Sequence, residues 1–273
     1  MKLKRSGTEP QPKSFPDFRF ETDGIELIQN AVDVVSLDAM TNESAQLVSR
    51  ARKGLVPDIR IYDDFPHIFG GVNVVGVENP IPNLPTVVSW LNARRLETLV
   101  THSTKRNTEA LEVVRLHCNS RFKWRNFWHQ DADQEFGSAV AVVYLEPEDG
   151  FRVLLRRSTS SPNPQNLFAD LGDAIKISAH RGDILVFDGN LWHKGHSTSR
   201  RLHLHFRFRL SSQRQDDNSQ AIDWHQYSKA PAGEDSTHIG LSSGSAASRV
   251  ARWLRLIQYL LPSRRRSSIF QRS

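Results

Sequence analysis

The nine residues Leu202 to Leu210, LHLHFRFRL, alternate apolar and polar side chains without a fault. Successive side chains of an extended chain project to opposite faces, so Leu202, Leu204, Phe206, Phe208 and Leu210 share one face. His203, His205, Arg207 and Arg209 share the other. A helix would scatter the five apolar groups around its axis, whereas a strand gathers them on one side. The segment is therefore a strand with one face in a core and a second face of histidine and arginine.

Other short apolar runs surround it in sequence. Leu111 to His117 is partly β-branched, and Ala139 to Leu145 (AVAVVYL) is a continuous apolar run of the kind that fills a sheet. Phe151 to Leu155, Ile175 to Ala179 and Asp183 to Phe187 (DILVF, after the turn at Gly182) follow. Upstream, helices are expected over Gly24 to Val35, Ala45 to Lys53 and Thr86 to Val100, with a short strand at Gly71 to Val77. Many strands preceded by helices predict an all-β core with flanking helices, a β-sandwich or small barrel buttressed by its N-terminal part. The expected organisation is a disordered tail over 1–20, a domain over 21–211 with its core at 110–210, and a polar linker over 212–245. A basic amphipathic helix and tail occupy 246–273.

Charge narrows the function. The formal net charge of +6 belongs to the C-terminal segment, because residues 249–273 hold seven arginines and no lysine, aspartate or glutamate. The remainder carries 29 basic against 30 acidic residues, a nearly neutral body that disfavours nucleic acid as partner. The single cysteine, Cys118, excludes an internal disulfide and a Cys-based zinc cluster within one chain. The first residues lack the apolar run of a signal peptide and no stretch could span a bilayer, so an intracellular, cytoplasmic protein is expected. The terminal helix, with Val250, Trp253, Leu254, Ile257, Leu260 and Leu261 on one stripe, suits packing on the domain, a membrane surface or self-association.

Trp128-His129-Gln130-Asp131 carries the chemistry. In an extended chain His129 and Asp131 project from one face and can reach one ion together. A third ligand comes from GDILVFDGNLWHKG, where a strand, a tight turn at Asp188-Gly189-Asn190 and Trp192 lead to His193. Two imidazoles and one carboxylate on one face of an octahedral ion leave three positions open, which suits Fe(II) oxygenases that also bind a bidentate co-substrate and O₂. Taken alone, H-x-D is two ordinary strand residues; the ordered set is what argues for ligation. A 2-oxo acid needs a cation for its far carboxylate, and the planar fork of arginine meets one best. Arg201, at the start of the alternating strand, is the first choice; Arg200 and Arg207 are the other candidates. Asp133 is expected at the surface or beside the site, and His196 beyond the metal. His203 and His205 either line the pocket or make structural hydrogen bonds.

The order H-x-D, then G-D-x-x-x-F-x-x-x-x-x-H-x-G, then arginine entering a strand resembles the Fe(II)/2-oxoglutarate-dependent dioxygenases. Within them WHQD and GDILVF…WHKG look most like the phytanoyl-CoA dioxygenase-like branch. The match covers roughly residues 110 to 210. The resemblance implies a double-stranded β-helix (jelly-roll, cupin-like). It implies Fe(II) on His129, Asp131 and His193, 2-oxoglutarate as co-substrate with O₂, and Arg201 as the 2-oxoglutarate clamp. The implied reaction is hydroxylation of an unactivated C–H bond of a small molecule, such as a metabolite, amino acid or lipid-derived acid, with release of succinate and CO₂. One departure stands out: after Tyr144-Leu145 the chain reads EPEDGFRVLLRRSTSS, where an acidic-Gly-Pro-Leu run and a P-G-S-H-like turn are usual. Two rival readings remain, a cupin-like metalloenzyme that does not use 2-oxoglutarate, and a degenerate scaffold that binds through its arginine-rich tail.

Overall fold

The computed structural model describes residues 18–53, 55–56, 60–62, 76–94, 96–118, 128–131, 137–162, 169–195 and 201–214. Most of the expected N-terminal tail, the linker after 214 and the C-terminal helix lie outside them, as do Arg200, Asp133 and His196.

The described residues open with a single helical turn, α1 (Phe20–Asp23), and a four-residue strand, β1 (Ile25–Ile28). The long helix α2 (Val34–Arg52) follows, then β2 (Arg60–Tyr62), β3 (Gly76–Glu78) and the helices α3 (Pro85–Arg94) and α4 (Leu96–Thr104). From there the chain is strands: β4 (Arg106–Cys118), β5 (Ser138–Tyr144), β6 (Glu148–Val153), β7 (Ile175–Ala179), β8 (Ile184–Asp188), β9 (His193–Lys194) and β10 (Leu202–Arg214). A seven-stranded antiparallel sheet has the order β1-β8-β5-β10-β4-β3-β2, and a three-stranded sheet the order β7-β6-β9.

Alternation decides which face of the large sheet meets what. Leu202, Leu204, Phe206 and Phe208 of β10, with Ala141 and Val143 of β5 and Ile184 and Val186 of β8, face the helices. There they pack on Met40 and Leu47 of α2, Val87, Trp90 and Leu91 of α3, and Leu96 and Val100 of α4. The opposite face of β5 and β8, with Val140, Val142, Tyr144, Leu185 and Phe187, packs on Phe151, Val153 and Ile177 of the small sheet. Both faces of β5 and β8 are thus buried, which is why their sequences read as continuous apolar runs. Along β10 and β4 the inward face turns polar, with His203, His205 and Arg207 beside Arg115 and His117. The space between the sheets is dry at the β8 end and polar at the β4 end.

Three expectations are corrected. Residues 24–35 are not a helix. Ile25–Ile28 form the edge strand β1, paired with Ile184–Phe187, and the chain then turns at Asn30 with a left-handed φ of 51°. The helix starts only at Val34, where the Asp33 carboxylate caps the backbone N–H of Ser36 at 2.9 Å. The β core is also wider than 110–210, since β1, β2 and β3 join the large sheet and β10 runs on to Arg214. The expected helix over 86–100 is two segments, α3 and α4.

Candidate metal centre

Three chain segments converge where the polar end of the cleft begins. His129 and His193 exchange both backbone hydrogen bonds, at 3.0 and 2.9 Å, so the WHQD segment runs beside β9 as an antiparallel bridge. Their rings stand 4.3 Å apart between centroids. The turn after β8 holds the next residues: the Asp131 N–H donates to the Gly189 carbonyl at 2.8 Å, and Gln130 Nε2 donates to the Asn190 carbonyl at 2.5 Å. That turn closes on itself through Asp188, whose side chain accepts from Asn190 N–H and whose carbonyl accepts from Leu191 N–H. The DGN turn therefore positions two candidate ligands at once, His193 by chain continuity and Asp131 by hydrogen bond.

The resulting geometry suits one ion. His193 Nε2 lies 3.4 Å from Asp131 Oδ2, and His129 Nε2 lies 3.8 Å from Asp131 Oδ1. Donor atoms of the three residues all fall within 4.8 Å of one another. The His193 ring is buried, stacked on Phe151 and edge-on to Phe187, and its Nδ1 is 2.9 Å from the Leu191 carbonyl oxygen. A carbonyl only accepts, so Nδ1 carries a proton and Nε2 is the ring nitrogen turned toward Asp131. Two imidazoles with one carboxylate are a donor set for a divalent transition ion, and an imidazole whose far nitrogen is tied to a carbonyl is how such ligands are held.

Asp131 is fixed from a third side by β10. His205 Nε2 reaches Asp131 Oδ2 at 3.2 Å, and Arg207 Nη1 donates to the Asp131 carbonyl at 2.6 Å. Burial alone would raise the Asp131 carboxyl, but the charge and hydrogen bond of His193, with the hydrogen bond of His205, hold it well below the usual carboxylate range. Arg207 thus supports the backbone of Asp131, beside the His129–Asp131–His193 cluster. Outside the metal cluster, Trp128 Nε1 and the buried Lys194 Nζ both donate to the Ala169 carbonyl, at 2.8 and 2.7 Å, and tie 169–170 across the ligand-bearing segments.

Arg201 lies at the other end of the inward face. Its side chain is 12% exposed, and its guanidinium abuts Gly195, two residues after His193. A Cβ at 195 would stand 2.7 Å from Arg201 Nη1, so any side chain there would displace the guanidinium from this position. Arg201 already has an anionic neighbour: its Nε is 3.0 Å from Oε2 of Glu148 on β6. The same oxygen lies 2.9 Å from His203 Nδ1. His203 therefore sits between Glu148 and Arg201, whose Nε and Nη2 lie 3.4 Å from its Nδ1 and Nε2, while His205 meets Asp131. Burial pushes the Glu148 carboxyl up, against the pull of Arg201, and pushes His203 and His117 well below the ordinary imidazole value.

Sequence reasoning named the three clustered residues and Arg201. It did not find Glu148, which stands inside the departing EPEDG stretch and meets Arg201 only through folding. Nor did it find the Leu191 carbonyl that sets the His193 tautomer.

No family model matches the chain, and no curated protein matches it. Solved structures share its fold. EctD from S. alaskensis with bound Fe aligns at a TM-score of 0.57 and 15% identity, over 80% of this chain and 83% of that one. HygX from Streptomyces hygroscopicus, with nickel and 2-oxoglutarate bound, gives 0.54 at 12% identity, over 71% and 85%. The epimerase SnoN, in complex with Fe3+, alpha ketoglutarate and nogalamycin RO, gives 0.50 at 13% identity, over 84% and 94%. The antiparallel core with its few helices is the jelly-roll, cupin-like fold of these neighbours.

Proposed function

We propose that this chain is an Fe(II)- and 2-oxoglutarate-dependent oxygenase acting on a small molecule. The observation that carries the proposal is the His129–Asp131–His193 cluster, whose donor atoms lie within 4.8 Å of one another on the inner side of a double-stranded β-helix. Neighbours of the same fold hold iron or nickel together with 2-oxoglutarate, which supports the reading. So does the WHQD and GDILVF…WHKG pattern of the phytanoyl-CoA dioxygenase-like branch.

The donor set fits the metal. His129, Asp131 and His193 would hold Fe(II), and Arg201 would pair with the far carboxylate of 2-oxoglutarate. Bound together, iron, 2-oxoglutarate and O₂ supply oxidising power, coupled to formation of succinate and CO₂. The chain's own residues do the rest. Leu191 keeps the His193 proton on Nδ1, so Nε2 remains a ligand. His205 and Arg207 hold Asp131 to one orientation, and Phe151 and Phe187 exclude water from the His193 side. Hydroxylation of an unactivated C–H bond is the outcome we assign; the fold alone does not select it, since SnoN is an epimerase.

The Glu148–Arg201 contact gives one rival a specific footing. A clamp already bearing an acid suits a cupin-like enzyme that does not use 2-oxoglutarate. The test separates the two. Purified protein is loaded with Fe(II) without oxygen, 2-oxoglutarate is added, and the visible difference spectrum is recorded. A weak charge-transfer band, absent in His129→Ala and requiring more 2-oxoglutarate in Arg201→Ala, is expected. Folded, iron-loaded protein without a band would reject 2-oxoglutarate and favour the rival.

A further inference from the structure

Glu148 is an unusual residue for its place. It starts β6 inside the cleft, is 2% exposed, and its Oε2 serves both Arg201 and His203. Its other oxygen, Oε1, is buried and has no hydrogen-bond partner. A carboxylate with an unpartnered oxygen at such depth costs free energy that a glutamine or an apolar residue would avoid. Its counter-ion is the arginine that the proposed function assigns to the co-substrate. Two carboxylates, one from the protein and one from the ligand, would then share a single guanidinium in a water-poor cleft.

Charge bookkeeping makes this arrangement diagnostic. Without ligand, Arg201 and Glu148 neutralise each other and His203 is neutral. An arriving carboxylate leaves the group with one excess negative charge. A second carboxylate on the same guanidinium in a low dielectric raises the proton affinity of the group, which favours uptake of one proton. From this, and resting on the assignment of 2-oxoglutarate to Arg201, we propose that Glu148 with His203 is a proton-accepting positioning pair. It takes up one proton when the co-substrate's carboxylate docks on Arg201.

The surroundings leave these two residues as the acceptors. His203 is 1% exposed and can hold a proton on the nitrogen facing Glu148 Oε2, or pass it to the carboxylate, over 2.9 Å. The other groups facing the pair are Tyr144 of β5, whose ring meets His203 edge-on at 5.6 Å, His117 of β4 at 4.9 Å, and Arg201 and His205. Tyr144 is pushed well above its ordinary value by burial and by Glu148, so it keeps its proton throughout. Arg201 is always charged. His117 lies beyond His203, and His205 is engaged by Asp131. Burial has already brought the two acceptors toward each other, raising Glu148 and lowering His203, so one added charge moves a proton onto the pair.

The test is calorimetric and needs no turnover. Protein loaded with Mn(II) is titrated with 2-oxoglutarate in two buffers of different ionisation enthalpy, at several pH values from about 6.5 to 8. Wild type is expected to take up close to one proton per ligand, with affinity falling toward tenfold per pH unit at the alkaline end. Glu148→Gln, which keeps the shape and removes the charge, is expected to bind with no more than a small fraction of that uptake and a nearly flat pH profile. Binding by wild type with no proton uptake overturns the proposal and leaves the 2-oxoglutarate assignment standing. Equal uptake in Glu148→Gln also overturns it, because the proton would then come from elsewhere. Failure of folded, metal-loaded wild type to bind 2-oxoglutarate overturns both. Should Glu148→Gln not fold, the wild-type uptake and pH slope decide alone.

Discussion

The carbonyl oxygen of Leu191 lies 2.9 Å from Nδ1 of His193, two residues further along the chain. The contact is between a ring and the backbone of the turn that leads to it, so the proton on Nδ1 of this histidine is written into the loop's path. No side-chain replacement at 191 can remove it. By contrast, Asp131 depends on side chains of a distant strand, His205 and Arg207.

That contrast gives the first expected outcome. His205→Ala should retain the fold and weaken divalent metal binding about 10- to 100-fold, the usual cost of losing a residue that orients a ligand. His193→Ala should lose more, since it removes a ligand outright. Competition against a chelator measures both. Equal affinity in His205→Ala and wild type would mean that His205 does not hold Asp131 for the metal.

Gly195→Ala probes the other end of the site. The new Cβ would stand 2.7 Å from Arg201 Nη1, too close to keep, so the guanidinium must shift. Half-saturation by 2-oxoglutarate should rise about tenfold, the effect of roughly 1.4 kcal/mol, while metal affinity stays unchanged. A parallel loss of metal binding would show that the turn itself had moved.

Neutral histidines on the inward face of the large sheet make the apoprotein acid-sensitive. His117 and His203 are held well below the ordinary value of 6.5, chiefly by burial. Below that value the unfolded chain takes up protons that the folded one refuses, so stability is complete above it and falls as the pH drops toward the folded values. Each histidine contributes a slope of at most about 1.4 kcal/mol per pH unit. Urea titrations of metal-free protein from about pH 7 to 5 should show the loss, and His117→Asn should reduce the slope by one proton.

Phe206→Ala addresses the helix-side core. Phe206 is fully buried at the centre of β10, between β4 and β5. Its truncation should cost about 3–5 kcal/mol, read from the denaturation midpoint. A cost below about 1 kcal/mol would mean that the helices do not seal this face.

How much of this was legible in the chain follows from how locally each feature is encoded. The alternation of Leu202 to Leu210 is complete within nine residues, and both of its faces were readable. So was the strand-turn-histidine unit ending at His193. Ile25–Ile28 was misread because Ile25, Ile28, Val32 and Val35 recur at helical spacing, and four residues of edge strand are too few to outweigh it. What breaks the pattern is the left-handed Asn30 and the Asp33 cap, both decided by the docking of the chain. Glu148 is invisible for a different reason. Its meaning lies wholly in meeting Arg201 and His203 across the cleft, and nothing in EPEDG announces a partner.

The pairing of Ile25–Ile28 with Ile184–Phe187 has a consequence for how the molecule is made. The first strand of the large sheet has its only strand neighbour, among the described residues, roughly 160 residues further along the polypeptide. As the chain leaves the ribosome, β1 waits with its backbone groups unpaired until β8 has been synthesised, and the sheet cannot close before then. Long-range pairing of this kind is slow and leaves a sticky edge in the meantime. The brevity of β1, four residues with a glutamate among them, limits what that edge can capture during the wait.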